Sequence, residues 1–386
     1  MSSRVDDETD VLVAGAGPAG AVAAHQLARR GLRVMLVERA KLPREKVCGC
    51  TLNLHALEAL DRAGLGGVIP RAVESGEAQT LQAAEVRTPR QSATFELPGG
   101  VAMKRSVLDS AIVDAARESG VELEDETTAS LGSNDGSGEE NHRRVKLRGP
   151  AGERTVRARV FISATGLGGV ELAERPGANS LPKRIGPPKR IGASRIFLEA
   201  PVDYSAGTVY MACGADGYVG LVRLGDGSLV AACALAPRAT RARGGIGPVA
   251  AALIAQARLP EIPGLEDGHW SGTSLFPAAS SSLGSRRAFA IGDAASFVEP
   301  FTGQGIGWAI ESALAVVPLV VLGARGWSEK LATDWEHIHR RVVQRRQRDC
   351  WRIAWLLRGA ARREVAMALL SRWPAAGRAL ARRLSQ

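Results

Sequence analysis

The feature that most constrains this 386-residue chain is the run Asp10–Arg39, "DVLVAGAGPAGAVAAHQLARRGLRVMLVER". An apolar strand leads into Gly15-Ala16-Gly17-Pro18-Ala19-Gly20, a helix of small residues follows, and a second apolar strand ends at Glu38-Arg39. This order of strand, glycine turn, helix and strand is a β-α-β unit whose first turn receives a diphosphate. Gly15 permits the tight turn, Gly17 lets the backbone approach a pyrophosphate, and Gly20 lets helix and strand pack closely. Free N–H groups and the helix dipole favour an anion there, and Glu38 is placed to accept hydrogen bonds from ribose hydroxyls.

The rest of the chain extends this start into an α/β protein. Residues 53–65 and 101–120 carry helical patterns. "VELEDETTASL" reads as a strand, 132–144 as a polar loop, and the following segment to Gly166 as a hairpin entering another buried strand. Between 193 and 275 short β-rich runs alternate with Gly/Asp turns, the pattern of an antiparallel sheet. The pentapeptide "PKRIG" occurs at 182–186 and again at 188–192 and reads as a local duplication in an exposed loop. These signals predict a Rossmann-type FAD-binding domain with an antiparallel-sheet substrate domain and a C-terminal helical segment. The expected division is 1–75, 101–175 and 276–325 for the first, 76–100 and 176–275 for the second, and 326–386 for the third.

The first motif alone does not choose between FAD and NAD. The segment "AIGDAASFVEPFTGQGIGWAIESA" does. Asp293, at a Gly-Asp corner after an apolar strand, is placed to hold the hydroxyls of a ribityl chain. Gly303-x-Gly305 opens a helix whose N-terminus stabilises negative charge at the flavin pyrimidine edge. NAD has no use for such a second site.

Composition narrows the class. The acidic start has no apolar signal-peptide core. The late apolar run 313–324 is short for a bilayer and contains Pro318. The expected location is cytoplasmic, peripheral to a membrane where the tail permits. Five scattered cysteines argue against a disulfide framework, and the six histidines form no zinc-ligand spacing. No metal site is expected. The net charge of +10 resides in the tail, where 340–386 hold thirteen arginines against Asp349 and Glu364. Mixed with Trp351, Trp355, Leu356, Leu357, Leu369, Leu370 and Trp373, they read either as a helical cap on the FAD-binding domain or as an interfacial amphipathic face. No nucleic-acid-binding motif accompanies them.

The first motif, "KRSVLD" (104–109) and the "GDAA…P…GQGI" segment resemble FAD-dependent oxidoreductases of the aromatic-hydroxylase (FAD-dependent monooxygenase) superfamily. Within it, "KVCGCTL" (46–52) and "DAASFVEPFTGQGI" are most similar to the geranylgeranyl reductase family. The resemblance implies cofactor contacts from Gly15, Gly17, Ala19, Gly20, Glu38, Arg39, Cys48, Gly49, Thr51, Arg105, Ala129, Asp293, Pro300, Gly303, Gly305 and Ile306. Arg105 would reach the FAD phosphate, Ala129 would flank the adenine, and Cys48 would face the ring either as a packing group or as a catalytic thiol. Glu299 and Gln304 fall near the flavin by motif position. Two departures stand out. Thr165 replaces the aspartate of the hydroxylases' Asp-Gly pair, and the reductases' aromatic-rich motif is missing near 217–224. The implied activity is an oxidoreductase acting on a hydrophobic isoprenoid-, lipid- or polyketide-like substrate by hydride transfer through flavin N5. The alternative is an NAD(P)H-dependent hydroxylase of an aromatic or polyketide substrate working through a flavin hydroperoxide. The partners are then a hydrophobic small molecule and an electron donor, with NAD(P)H as a transient reductant.

Overall fold

The computed structural model describes residues 7–131, 141–168, 172, 190–275, 283–298, 301 and 303–384. The strands Asp7–Ala14 and Val34–Val37 flank the helix Pro18–Ala28, and the two strands pair in parallel (Val11 with Val34, Ala14 with Val37). Every side chain of Val34–Val37 is buried, which explains its continuous apolar run: both faces of a parallel sheet are covered.

Among the described residues this sheet has eight strands. Its main path runs Gly284–Ser285, Ala288–Ala290, Gly152–Ser163, Asp7–Ala14, Val34–Val37 and Glu122–Glu124. The strands Thr128–Leu131 and Arg143–Gly149 extend it from the side. The predicted single strand after Val121 is therefore two short ones. The predicted loop 132–144 lies largely outside the described residues, as does the first PKRIG copy; of the second, Arg190, Ile191 and Gly192 are described and begin the strand Arg190–Phe197, with Arg190 buried, instead of lying in an exposed loop. Helices Pro18–Ala28 and Arg105–Glu118 pack together, and Gly305–Arg325 covers the former as well as Leu54–Arg62.

Gly305–Arg325 corrects the reading of a short apolar run. It continues through Pro318 for 21 residues and is the one described helix long and apolar enough to cross a membrane. Here Ile310, Ala313, Val316, Val317 and Val320 are buried against the sheet and the first helix.

A second sheet of seven described strands runs Ser271–Leu275, Arg190–Phe197, Leu229–Leu235, Gly217–Arg223, Thr208–Gly214, Ala83–Arg87 and Ser92–Glu96. All pairs are antiparallel except Thr208–Gly214 with Ala83–Arg87. Strand alternation gives it two different faces. Tyr210, Ala212, Val219 and Leu221 form a core with Val249, Ala250, Leu253 and Ile254 of the helix Ile246–Gln256. Val209, Met211, Tyr218, Gly220 and Val222 face a cavity. The helices Pro237–Ala242 and Ile246–Gln256 were not foreseen in this β-rich stretch. A third sheet joins Thr51–Asn53, Gly100–Met103 and Ala78–Thr80.

The C-terminal segment is helical as expected: Lys330–His339, Arg345–Arg358, Ala360–Arg372 and Pro374–Leu384. Its seat differs from a cap on the FAD-binding domain alone. Met367 is buried with Val86, Ala93, Met211, Cys213 and Tyr218 of the second sheet, and Gly377 lies against Phe95. Arg363, itself buried, donates to the Gly214 carbonyl (3.0 Å), and Thr88 donates to Glu364 (2.8 Å). Arg346 joins the tail to the other body through Glu311 (3.8 Å) and the buried His55.

Candidate FAD and substrate site

A single cavity of about 1300 Å³ runs from the first glycine turn, past the Cys48 loop, to the open face of the second sheet. Its first third is built by the β-α-β unit. At Gly15 φ is +104°, and a Cβ there would lie 2.4 Å from the Ala164 carbonyl oxygen. A Cβ on Gly20 would lie 1.9 Å from the Gly15 carbonyl oxygen, so strand and helix close only with glycine at both places. Gly17 is different. A Cβ there would meet only the Arg44 and Arg105 guanidinium nitrogens, at 3.7 and 3.9 Å. The backbone is thus open towards the cavity, with two cations at hand and the N-terminus of Pro18–Ala28 behind it.

These cations are held by carboxylates. Arg105 pairs with Asp109 through Nε–Oδ1 and NH2–Oδ2, both at 2.9 Å. Arg44 bridges Asp109 Oδ2 and Glu38 Oε2, both at 3.2 Å. Glu38 Oε2 also accepts from the Ala16 N–H (2.9 Å), and Oε1 from the Ala40 N–H (3.2 Å). Burial would raise the Glu38 carboxyl, but Arg44 and the two N–H groups hold it below the usual carboxylate range. Burial likewise opposes the Arg105 charge, yet Asp109 and the Cys48 sulfur push its pKa up. Arg105 and Glu38 were foreseen. Arg44 and Lys46 were not: Arg44 sits in a connection with no motif, and Lys46 opens the KVCGCTL stretch without having been given a contact. Lys46 reaches into the cavity within 3.3 Å of where a Gly166 Cβ would lie, and burial with Arg44 and Arg105 nearby lowers its pKa.

The distant segment arrives at the same place. Asp293 and Gly305 line the cavity with Ile306, and burial raises the Asp293 carboxyl against the pull of Lys46 and Arg105. Gly292 is packed on Ala19: a Cβ there would lie 2.9 Å from the Ala19 Cβ. Thr51 Oγ1 would be 2.9 Å from a Cβ on Gly303, whose φ is +66°. The two ends of the chain therefore meet across the cavity.

Of the residues singled out from sequence, Gly17, Ala19, Glu38, Arg39, Cys48, Gly49, Thr51, Arg105, Asp293, Gly303, Gly305 and Ile306 line this cavity. Gly15 and Gly20 lie behind it as packing positions. Ala129 does not reach it. It pairs with Leu147 in the side strands and packs on the core. Gln304 is buried and accepts from the Cys350 thiol (3.4 Å) instead of lining the cavity. Pro300 and Glu299 lie outside the described residues. No cluster of metal-ligating side chains occurs among the described residues.

Cys48 stands between the cradle and the sheet. Its backbone N–H faces Ser194 Oγ (3.4 Å), and its sulfur accepts from the Cys50 N–H (3.2 Å). The Cys50 thiol beside it and the Arg105 guanidinium, working against burial, bring the Cys48 thiol down to about 6. The same pairing, with burial, pushes Cys50 up. All five cysteines are free thiols, and Cys48 and Gly49 line the cavity.

Beyond Cys48 the walls turn apolar. Val86, Phe95 and Met211 come from the second sheet, Leu81 from the link just before its strand Ala83–Arg87, and Leu356, Leu357, Met367, Leu370 and Leu380 from the C-terminal helices. The cradle fits a dinucleotide cofactor on its own geometry. An open glycine backbone faces two fixed guanidinium groups, and Glu38, which also lines the cavity, keeps unused acceptor capacity.

Residues 8–179 match the FAD binding domain family. The chain is 35% identical over 162 residues to digeranylgeranylglycerophospholipid reductase 2 of Methanopyrus kandleri, covering 42% of this chain and 38% of that protein. Over 62 residues it is 48% identical to the menaquinone reductase of Mycobacterium tuberculosis, covering 16% of this chain and 15% of the relative. The chain spans well under half the length of the curated relatives it matches. Among solved structures, p-nitrophenol 4-monooxygenase PnpA from Pseudomonas putida DLL-E4 superposes with a TM-score of 0.76 at 16% identity, covering 99% of both chains. That likeness is one of fold. Together these findings bear out the resemblance drawn from the motifs: this is an FAD-binding chain related to the geranylgeranyl and menaquinone reductases, built on the fold of the flavin monooxygenases.

Proposed function

We propose that this chain is an FAD-dependent oxidoreductase that reduces an apolar isoprenoid-, lipid- or polyketide-like substrate, using NAD(P)H or another donor as transient reductant. One observation carries the reading. The charged cradle and the apolar chamber are a single cavity, joined at Cys48, so a cofactor in the first would meet a greasy substrate in the second. The reductase relatives in the FAD-binding part support the same direction. The division into FAD-binding, sheet-borne substrate and C-terminal helical regions belongs to this proposal.

FAD, when bound, supplies the hydride-accepting and hydride-donating chemistry. The chain's own residues do the rest. Gly17, Arg44 and Arg105 receive the diphosphate, Glu38 the ribose, and Asp293 the ribityl chain. Gly305 and Ile306 present backbone at the start of their helix to the ring. Leu81, Val86, Met211 and the C-terminal helices exclude water from the substrate. Reducing a carbon–carbon double bond needs a hydride at one carbon and a proton at the other. Cys48, with a thiol near pH 6 beside the junction, is the group positioned to hand over that proton.

The test is anaerobic. Dithionite-reduced holoenzyme is mixed with a menaquinone or a geranylgeranyl lipid, the substrate classes of the relatives' names. Flavin reoxidation with a product two hydrogens heavier is expected. Reoxidation only on admitting oxygen, with an oxygen atom in the product, overturns the reductase reading in favour of hydroxylation. A protein that takes up no FAD overturns both.

A further inference from the structure

The C-terminal helices have a second face that the cavity does not use. Ile353, Leu356 and Leu357 of Arg345–Arg358, and Met367 and Leu370 of Ala360–Arg372, line the cavity. On the opposite sides, Trp355 (59% exposed) stands one turn from Trp351, and Val365 (61%) one turn from Leu369. Trp373 (59%) follows at the end of the second helix. Large apolar side chains are rarely left in water as a contiguous group without a use.

They are set among cations. Arg348, Arg352, Arg362, Arg372 and Arg378 of the same segment are exposed as well, and the Arg362 guanidinium lies 3.7 Å over the Trp355 ring. Both acidic residues of the segment are already engaged. Asp349 pairs with Arg352 (2.9 Å) and Arg383 (3.1 Å), while Glu364 accepts from Thr88 (2.8 Å) and faces Arg363 (3.7 Å). The outer face is therefore strongly positive with an apolar centre.

We infer that this outer face docks on an anionic lipid bilayer, with Trp355, Leu369 and Trp373 entering the headgroup boundary and the arginines meeting lipid phosphates. Trp and Arg are the side chains such a boundary takes, each with an apolar body and a polar end. A second copy of the chain would oppose two strongly positive segments. A nucleic acid would use the arginines but leave Val365 and Leu369 without a partner. The inference stands on the surface itself and needs no turnover to test.

FAD-loaded full-length protein is pelleted with phosphatidylcholine vesicles and with vesicles containing phosphatidylglycerol. Binding to the anionic vesicles alone is expected, weakening as salt rises from about 0.1 M to about 1 M and the screening length falls from about 10 Å to about 3 Å. Trp355→Ser/Leu369→Ser/Trp373→Ser should lose at least about tenfold in partitioning, with flavin content and melting temperature kept. An Arg348→Gln/Arg372→Gln/Arg378→Gln variant, which leaves every apolar contact in place, should lose a similar factor. The inference is overturned by absence of binding to anionic vesicles or by equal binding of either variant. It is also overturned by a dimer that dissociates on the serine substitutions, or by oligonucleotide binding in place of vesicle binding.

Discussion

Gly17→Ala separates a glycine kept for a ligand from a glycine kept for the fold. The residue caps Pro18–Ala28 with φ −79°, which alanine adopts freely. A methyl group there meets nothing nearer than the two guanidinium nitrogens at 3.7 and 3.9 Å, ordinary contact distances. Replacing a glycine cap by alanine costs about 0.5–1 kcal/mol. Restricting the unfolded chain returns about 0.4–1 kcal/mol. The stability of the cofactor-free protein should thus stay within about 1 kcal/mol of the parent, read as a urea midpoint. The methyl does occupy the space a diphosphate needs against the backbone. Overpacking of that kind costs about 1–3 kcal/mol, or about 5- to 150-fold in FAD affinity, measured by quenching of flavin fluorescence. Gly20→Ala is the contrast: its Cβ at 1.9 Å from a carbonyl oxygen should prevent folding with or without FAD. If Gly17→Ala binds FAD within a factor of about two of the parent, no phosphate approaches this turn. Loss of the cofactor-free fold instead would make Gly17 a packing residue like its neighbours.

Other outcomes follow from the same geometry. Arg44→Met removes a charged hydrogen-bond donor from Glu38 and Asp109, and should weaken FAD binding by about 1.5–3 kcal/mol in a titration; unchanged affinity would put the diphosphate elsewhere. Cys48→Ser should retain flavin, while substrate reduction by the parent falls as pH rises above about 6 and the thiol loses its proton; full turnover by the variant makes Cys48 a packing group. His339 is fully buried against Trp335, and its Nδ1 has no hydrogen-bond partner among the described residues. Burial lowers its pKa to about 4, so the unfolded chain takes up a proton first as pH falls. Stability should drop between pH of about 6.5 and about 4, by up to about 3 kcal/mol, and level off below. A His339→Gln protein whose stability keeps that slope would refute the assignment.

The cofactor cradle was legible because its determinants are local. Strand, glycine turn, helix and strand are consecutive, and Glu38 ends the unit it serves. Asp293 and Gly305 were legible because a corner and a helix opening also leave local marks. Arg44 left none, and Lys46, though it opens KVCGCTL, was given no contact: an arginine or lysine in an irregular connection looks the same whether it faces solvent or a cavity. The pairing of Ala129 with Leu147 was hidden for a related reason, since a short strand does not announce its partner. The helix Ile246–Gln256 was read through as sheet because its small apolar residues carry little periodic contrast. The tail was read as either a cap or an interfacial face because both faces of its helices are apolar in part. Only the seat of Met367 on the second sheet tells inner from outer.

The packing of Gly292 on Ala19 and of Thr51 beside Gly303 also bears on how the protein is made. A nascent chain exposes its glycine turn early, but the wall that closes the pocket, Gly292 to Ile306, follows only after the whole second sheet has been made. Until then the strand Gly152–Ser163 also lacks its neighbour Ala288–Ala290, and its edge is open to pairing with other chains. A pocket that forms only when these two segments meet should capture flavin after both have been made, and the yield of folded protein should rise with the free FAD in the synthesising cell.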